Sequence, residues 1–119
     1  MSFEIISNVH PEHLRVDASG ECSLPQIFEF IDAVKRLASE AARDRVMIDI
    51  RGVAGMPSTS DLFFAGERLA EVFGGRTKIA IVNHEERITR LGELTAINRG
   101  ARVLASSDET EAEAWLLDK

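Results

Sequence analysis

The sequence predicts a single-domain α/β fold: one mixed sheet of about five strands with about four helices in the order ββαβαβαβα, an N-terminal hairpin leading into parallel βαβ units. Short β-rich runs alternate with longer segments of helical spacing from residue 23 to the end. Two of those runs, "RVMIDIR" and "TKIAIVN", are apolar on both faces, the pattern of strands buried between helices. The length of 119 residues suits one core, so residues 1–119 read as one domain.

Taken in order, "FEIIS" (3–7) is short and β-rich, and "HLRVDA" (13–18) alternates, with Leu14, Val16 and Ala18 on one face. "NVHPE" between them carries turn residues, so the pair reads as a hairpin, and "SGE" (19–21) after it reads as loop. Ser23-Leu24-Pro25-Gln26 opens a helix: Ser23 caps it, Gln26 reaches back, and Pro25 sits in the first turn, where its missing N–H costs nothing. Leu24, Ile27, Phe28, Ile31, Val34 and Ala38 keep helical spacing to residue 42. "RVMIDIR" (45–51) is a central strand with residues 51–58 as its exit loop. Leu62, Ala65, Gly66, Leu69, Val72 and Phe73 imply a helix over 59–73, ended by Gly74-Gly75.

"TKIAIVN" (77–83) is the next strand. Residues 86–98 read as a helix stopped by Gly100 and weakened by Gly92, and "ARVLAS" (101–106) is the last strand. A closing helix is capped by Ser107 or Asp108 and has acids in its first turn, where the helix dipole favours them. Ala112, Trp115 and Leu116 form its apolar stripe.

Acidic residues outnumber basic ones 20 to 14, a net charge of −6, and no stretch clusters Lys and Arg. Such a chain lacks the positive surface that a phosphate backbone demands, so nucleic acid is not an expected partner. No run approaches the roughly 18 apolar residues of a membrane span, and "MSFEIISN" has neither a basic start nor a signal-length apolar run. Cys22 is the sole cysteine and forms no internal disulfide. Both features fit a reducing cytoplasm.

The candidate chemistry is sparse. There is no GxGxxG and no P-loop, and the glycines of "EVFGGRTK" follow a helix and precede a strand, the reverse of a phosphate loop. His10 and His13 flank Pro11 in a turn with no second ligand pair, and His84-Glu85 lacks the second histidine of a zinc-protease helix, so neither metal nor cofactor is expected. No local feature activates Cys22. With no convergent nucleophile, acid and base, the expectation is a protein that is not an enzyme.

What remains is the exit of the central strand. Ser58-Thr59-Ser60-Asp61 fits a capping box with Ser58 as the cap, a feature that stabilises by roughly 1 kcal/mol. The same position is where ligands and partners dock on an open α/β sheet. Gly52 and Gly55 let the loop backbone approach a partner closely, and Asp49 and Arg51 bring charge to the strand end. A phosphate on Ser58 or Ser60 would lie against the helix N-terminus and add a charge of about −2 to the surface, with Asp61 opposing it. The acidic run 108–113 reads as a solvated helix face that complements the dipole.

The strand "VMIDIRGV", the hydroxyl-rich helix start, the strand "KIAIV" and the closing "NRGARVLASSDETEAEAWL" resemble a STAS domain of the anti-sigma-factor-antagonist kind and the wider STAS/SEC14-like group of small bacterial proteins. By element order the resemblance covers nearly the whole chain. It implies a regulatory module that binds a protein partner, a kinase-type anti-sigma factor, through the loop and helix start after the central strand. In such antagonists a serine at this helix start, within an Asp-Ser-Ser-Gly pattern, is phosphorylated by the partner kinase. Here the stretch reads Pro57-Ser58-Thr59-Ser60. Ser58 falls at the phosphoacceptor position and Thr59 at the second hydroxyl, while Pro57 replaces the aspartate and Ser60 the glycine. The SEC14-like branch implies an alternative, a carrier or sensor of a small apolar ligand or lipid, with a cavity between the sheet and the helices bearing Phe28, Phe63, Phe64 and Phe73. The edge of the N-terminal hairpin makes a homodimer a further expectation.

Overall fold

The computed structural model describes residues 3–21, 23–55, 57–88 and 90–118, so Cys22 lies outside the described residues. Its elements are β1 (Phe3–Val9), β2 (Leu14–Glu21), α1 (Leu24–Ala41), β3 (Arg45–Ala54), α2 (Thr59–Phe73), β4 (Lys78–Val82), a 3₁₀ turn (Glu85–Arg87), α3 (Leu91–Asn98), β5 (Arg102–Ser106) and α4 (Glu109–Leu117). The order ββαβαβαβα is the one the sequence predicts.

The strands form one sheet in chain order, β1-β2-β3-β4-β5. The β1–β2 pair is antiparallel and the other three pairs are parallel. Each parallel crossover therefore steps one place in the same direction. Crossovers of one hand then put α1, α2 and α3 on the same face of the sheet. α4 covers the opposite face. The two-sided strand patterns follow directly. Val16, Val46, Ile48, Ile79 and Val103 meet residues such as Ile31, Val34, Leu69, Phe73 and Ala96 of the three-helix layer. Met47, Ala80 and Val82 alternate to the other side and meet Ala112 and Leu116 of α4. β1 is an edge, and Ile6 on it is 64% exposed.

Local signals set the helix starts. Ser23 N donates to Gln26 Oε1 at 2.9 Å, as the predicted box requires. The cap of α4 is Asp108, whose Oδ1 accepts from Thr110 N at 2.9 Å and Glu111 N at 3.2 Å. Where α2 meets α3, a Cβ on Gly66 would stand 2.5 Å from Gly92 O and 2.8 Å from Thr95 Cβ. Gly66 is therefore a point of direct helix contact, beyond its place in an apolar spacing.

Several boundaries differ from expectation: β1 runs to Val9 rather than residue 7, and β3 to Ala54 rather than residue 51. Residues 19–21 are strand because they have ladder partners on both sides: Ser19 pairs with Glu4 and Gly20 with Phe3 of β1, and Ser19 pairs with Gly52, Gly20 with Val53 and Glu21 with Ala54 of β3. Pairing jumps there from Asp17↔Asp49 to Ser19↔Gly52, so β3 carries one residue more than β2 at this point, a bulge. Residues 86–98 are not one helix. Ile88 is extended and Arg90 adopts a left-handed φ of 68° before α3 begins at Leu91. Arg90 Nη1 and Glu93 Oε2 clamp the carbonyl and N–H of Ala105 at 2.6 and 3.1 Å. This tertiary anchor fixes the helix start over β5, and helical spacing does not report it.

Candidate functional site

β3 leaves the sheet at Ala54 and residues 55–58 carry the chain to α2. The exit loop is shorter than the expected 51–58, and Gly52 lies in β3 rather than in the loop. Gly55 turns the chain with φ +85°, a conformation that favours glycine. Ser58 is the N-cap of α2, and its Oγ accepts from Asp61 N at 3.1 Å. Ser58, Thr59 and Ser60 are all exposed and Asp61 is half-buried. The three alcohols thus stand at the C-terminal rim of the parallel strands, on the three-helix side. Phe63 and Phe64 follow on the next turn of α2, both on the exposed side and edge-to-face at 5.6 Å, and Leu94 and Ile97 are exposed on the adjoining α3.

Asp49 and Arg51 do not join this cluster. Alternation along β3 sends Ile48 toward the three-helix layer and Met47 and Asp49 toward α4. There, Asp49 is buried and held in an ionic network. Arg15 Nη2 reaches Asp49 Oδ2 at 2.9 Å, and Arg51 Nη2 reaches it at 2.6 Å. Arg15 also pairs with Asp17 at 3.1 Å, and Glu109 bridges Arg15 and Arg51 at 2.8 and 2.7 Å. Burial acts to raise the Asp49 carboxyl, but the side-chain and backbone bonds from Arg51, with the charges of Arg51 and Arg15, hold it below its ordinary value. The Arg15 bond to Glu109, against a smaller burial effect, likewise lowers that carboxyl.

Of this network, the charges of Asp49 and Arg51 at the strand end are expected from the sequence, and Arg15, Asp17 and Glu109 are not. Arg15 and Asp17 share a face by alternation, but nothing in the sequence sets them beside β3 or sets Glu109 above both. Glu109, the second acid of the run 108–113, is accordingly a half-exposed anchor for the N-terminus of α4 as well as a charge on its surface. At the other end of α4, Lys78 Nζ donates to the carbonyls of Trp115 (2.6 Å) and Asp118 (2.9 Å). It also lies 4.5 Å from the Trp115 ring centroid.

A cavity of about 200 Å³ lies on the three-helix side, between the C-terminal ends of β3, β4 and β5 and the start of α2. Its walls are chiefly aliphatic, with Ile48, Ile50, Val53, Leu62, Ile81 and Val103 among them, and Gly55 and Pro57 of the loop contribute. The phenylalanines expected to line such a space are elsewhere: Phe63 and Phe64 are on the exposed side, Phe73 is in the core, and Phe28 and Phe64 flank a separate open groove with Arg68. Among the described residues, no group of His, Cys, Asp and Glu could hold a metal, and no helix is long and apolar enough to cross a membrane.

No model of a known protein family matches the sequence, and no curated protein matches it. Solved structures do resemble it. An anti-sigma factor antagonist from Mycobacterium paratuberculosis aligns with a TM-score of 0.68 and 19% identity, covering 98% of this chain and 96% of that one. An uncharacterized protein from Shewanella loihica with a SpoIIAA-like fold aligns at 0.59 and 19% identity, covering 96% and 93%. The anti-sigma factor antagonist SpoIIAA in its unphosphorylated form aligns at 0.51 and 14% identity, covering 96% and 95%. The chain therefore has the STAS, or SpoIIAA-like, fold.

Proposed function

We propose that this SpoIIAA-like fold serves as a non-enzymatic regulatory module of the cytoplasm that binds a protein partner through the β3–α2 loop and the start of α2. The observation that carries the reading is the placement of three exposed alcohols on the N-terminus of a 15-residue helix at the rim of the parallel sheet. Two of the similar structures are of anti-sigma factor antagonists, one of them explicitly unphosphorylated. By the resemblance at Ser58, the partner is a kinase-type anti-sigma factor and Ser58 is the residue it modifies.

The docking face comprises Gly55, Ser58, Thr59, Ser60 and Asp61. The exposed Phe63 and Phe64 supply apolar area beside it, of the kind that anchors protein contacts. Asp49 and Arg51, on the opposite face, brace α4 instead. The free edge of β1 supports pairing of two copies.

A phosphate on Ser58 keeps an oxygen available to the N-terminal N–H groups of α2 and sets about two negative charges beside Asp61. The helix start survives while the charge presented to the partner changes. The test is phosphosite mapping by mass spectrometry of the protein recovered from its own cells, with partner capture by wild type and Ser58→Ala. Phosphate on Ser58 and altered capture by the variant are expected. Absence of phosphate from residues 58–60, with unchanged capture, removes the reading.

A further inference from the structure

The cavity beneath the docking loop has features that a packing gap in a core does not need. The β3 bulge turns Val53 onto the same wall as Ile48 and Ile50, and bulges of this kind re-aim side chains beside sites. Arg87, from the 3₁₀ turn after β4, reaches this wall and donates through Nη1 to the Val53 carbonyl. Arg90 also lines the cavity, but Glu93 neutralises it at 2.7 Å. Arg87 has no carboxylate within ion-pair distance among the described residues. A chiefly apolar cavity, whose other polar side chains are Asn83 and the Arg90–Glu93 pair, thus carries one positive charge without a carboxylate partner on its wall.

From this juxtaposition we propose that the cavity binds a small carboxylic acid with an apolar body, its chain or ring against Ile48, Ile50, Ile81 and Val103 and its carboxylate on Arg87. The guanidinium fits a carboxylate with paired, charge-assisted bonds, and one bond to a backbone carbonyl leaves further N–H donors for it. The volume sets the size of the body. A space of about 200 Å³ exceeds the roughly 150 Å³ that admits benzene and falls short of the roughly 300–1,000 Å³ of drug-sized sites. A single ring or a chain on the order of six to eight carbons is the match, rather than a two-chain lipid. This site stands on the cavity and Arg87 alone, and it holds or fails independently of partner docking at Ser58.

The probes are octanoate, octanol and butyrate, titrated into the purified full chain at neutral pH by calorimetry, with circular dichroism to verify the fold of each variant. Octanoate is expected to bind about tenfold more tightly than octanol, the worth of one charge-assisted contact, and more tightly than butyrate. Arg87→Gln is expected to bring octanoate down to the octanol level and leave octanol unchanged. Ala65→Phe, which fills the cavity from α2, removes binding of both. No octanoate binding to the wild type overturns the proposal. Equal affinity for octanoate and octanol, or undiminished octanoate binding by Arg87→Gln, overturns it as well. Should Ala65→Phe not fold, the Arg87→Gln comparison decides alone.

Discussion

Ser58 is both a helix cap and the exposed alcohol of the proposed docking loop, and substitution separates these roles. Ser58→Ala deletes the acceptor of Asp61 N and is expected to cost about 1 kcal/mol in urea denaturation. Ser58→Asp restores a capping oxygen and is expected to recover most of that loss while changing the charge offered to a partner. Equal stability of all three proteins contradicts the cap. Asp49 makes a sharper case, because its carboxylate is buried between two guanidiniums. Asp49→Asn keeps the shape and loses the charge, and a loss of about 1–3 kcal/mol is expected from the weakened bonds. The hydroxyl cluster and its cap were legible in the sequence because capping is local, decided within four residues. The ionic network was not. Its members come from β2, β3 and α4, and only the sheet register and the choice of face for α4 bring Arg15, Arg51 and Glu109 together.

Gly66 decides how closely α2 and α3 approach. Gly66→Ala sets a methyl against the Gly92 carbonyl and Thr95, both on a packed helix rather than on a flexible side-chain end. Although alanine is the better helix former, overpacking is expected to prevail and to destabilise by about 1–3 kcal/mol. A Gly66→Ala protein more stable than wild type would mean that the helices are not in contact there. The expected bounds of α2 match the observed ones because its spacing and both its end signals lie within one segment. The bounds of β2 needed its neighbours: residues 19–21 have turn-like composition, and ladder partners on both sides, Phe3 and Glu4 of β1 and Gly52, Val53 and Ala54 of β3, make them strand. The segment 86–98 fails for a related reason. Its spacing is helical, but Arg90 and Glu93 bind the backbone of β5, a constraint that no local window contains.

Across the whole molecule, one layer of three helices and one lone helix divide the sheet into unlike faces, and the titratable groups that matter lie on the α4 side. His13 is buried, its ring stacked parallel on His10 at 4.7 Å. Burial first, then the neighbouring His10, lowers its pKa below the ordinary 6.5, with Arg15 acting the same way and Glu113 and Glu12 opposing. The unfolded chain therefore takes up this proton at a higher pH than the folded chain does. Stability is full above pH 6.5 and declines as pH falls below it. Asp49 and Glu109 have lowered folded pKa values, so their contribution is present above the ordinary 3.8 and 4.5 and is lost as pH falls through the lower folded values. The urea midpoint of the wild type is expected to fall between pH 7 and 5, and His13→Gln is expected to flatten that interval while leaving the acid loss in place. A midpoint independent of pH in that interval contradicts a lowered His13 pKa.

The same division puts the alcohols, the exposed phenylalanines and the cavity at one end of the three-helix side, away from the C-terminal end of α1. Site-specific photo-crosslinking in the cell of origin tests this most directly, with the crosslinker at Ser60 in one version and at the exposed Glu40 of α1 in the other. A discrete adduct with one protein from position 60, absent from position 40, is the expected result. No adduct at position 60, or the same adduct from both positions, would contradict partner docking at the start of α2.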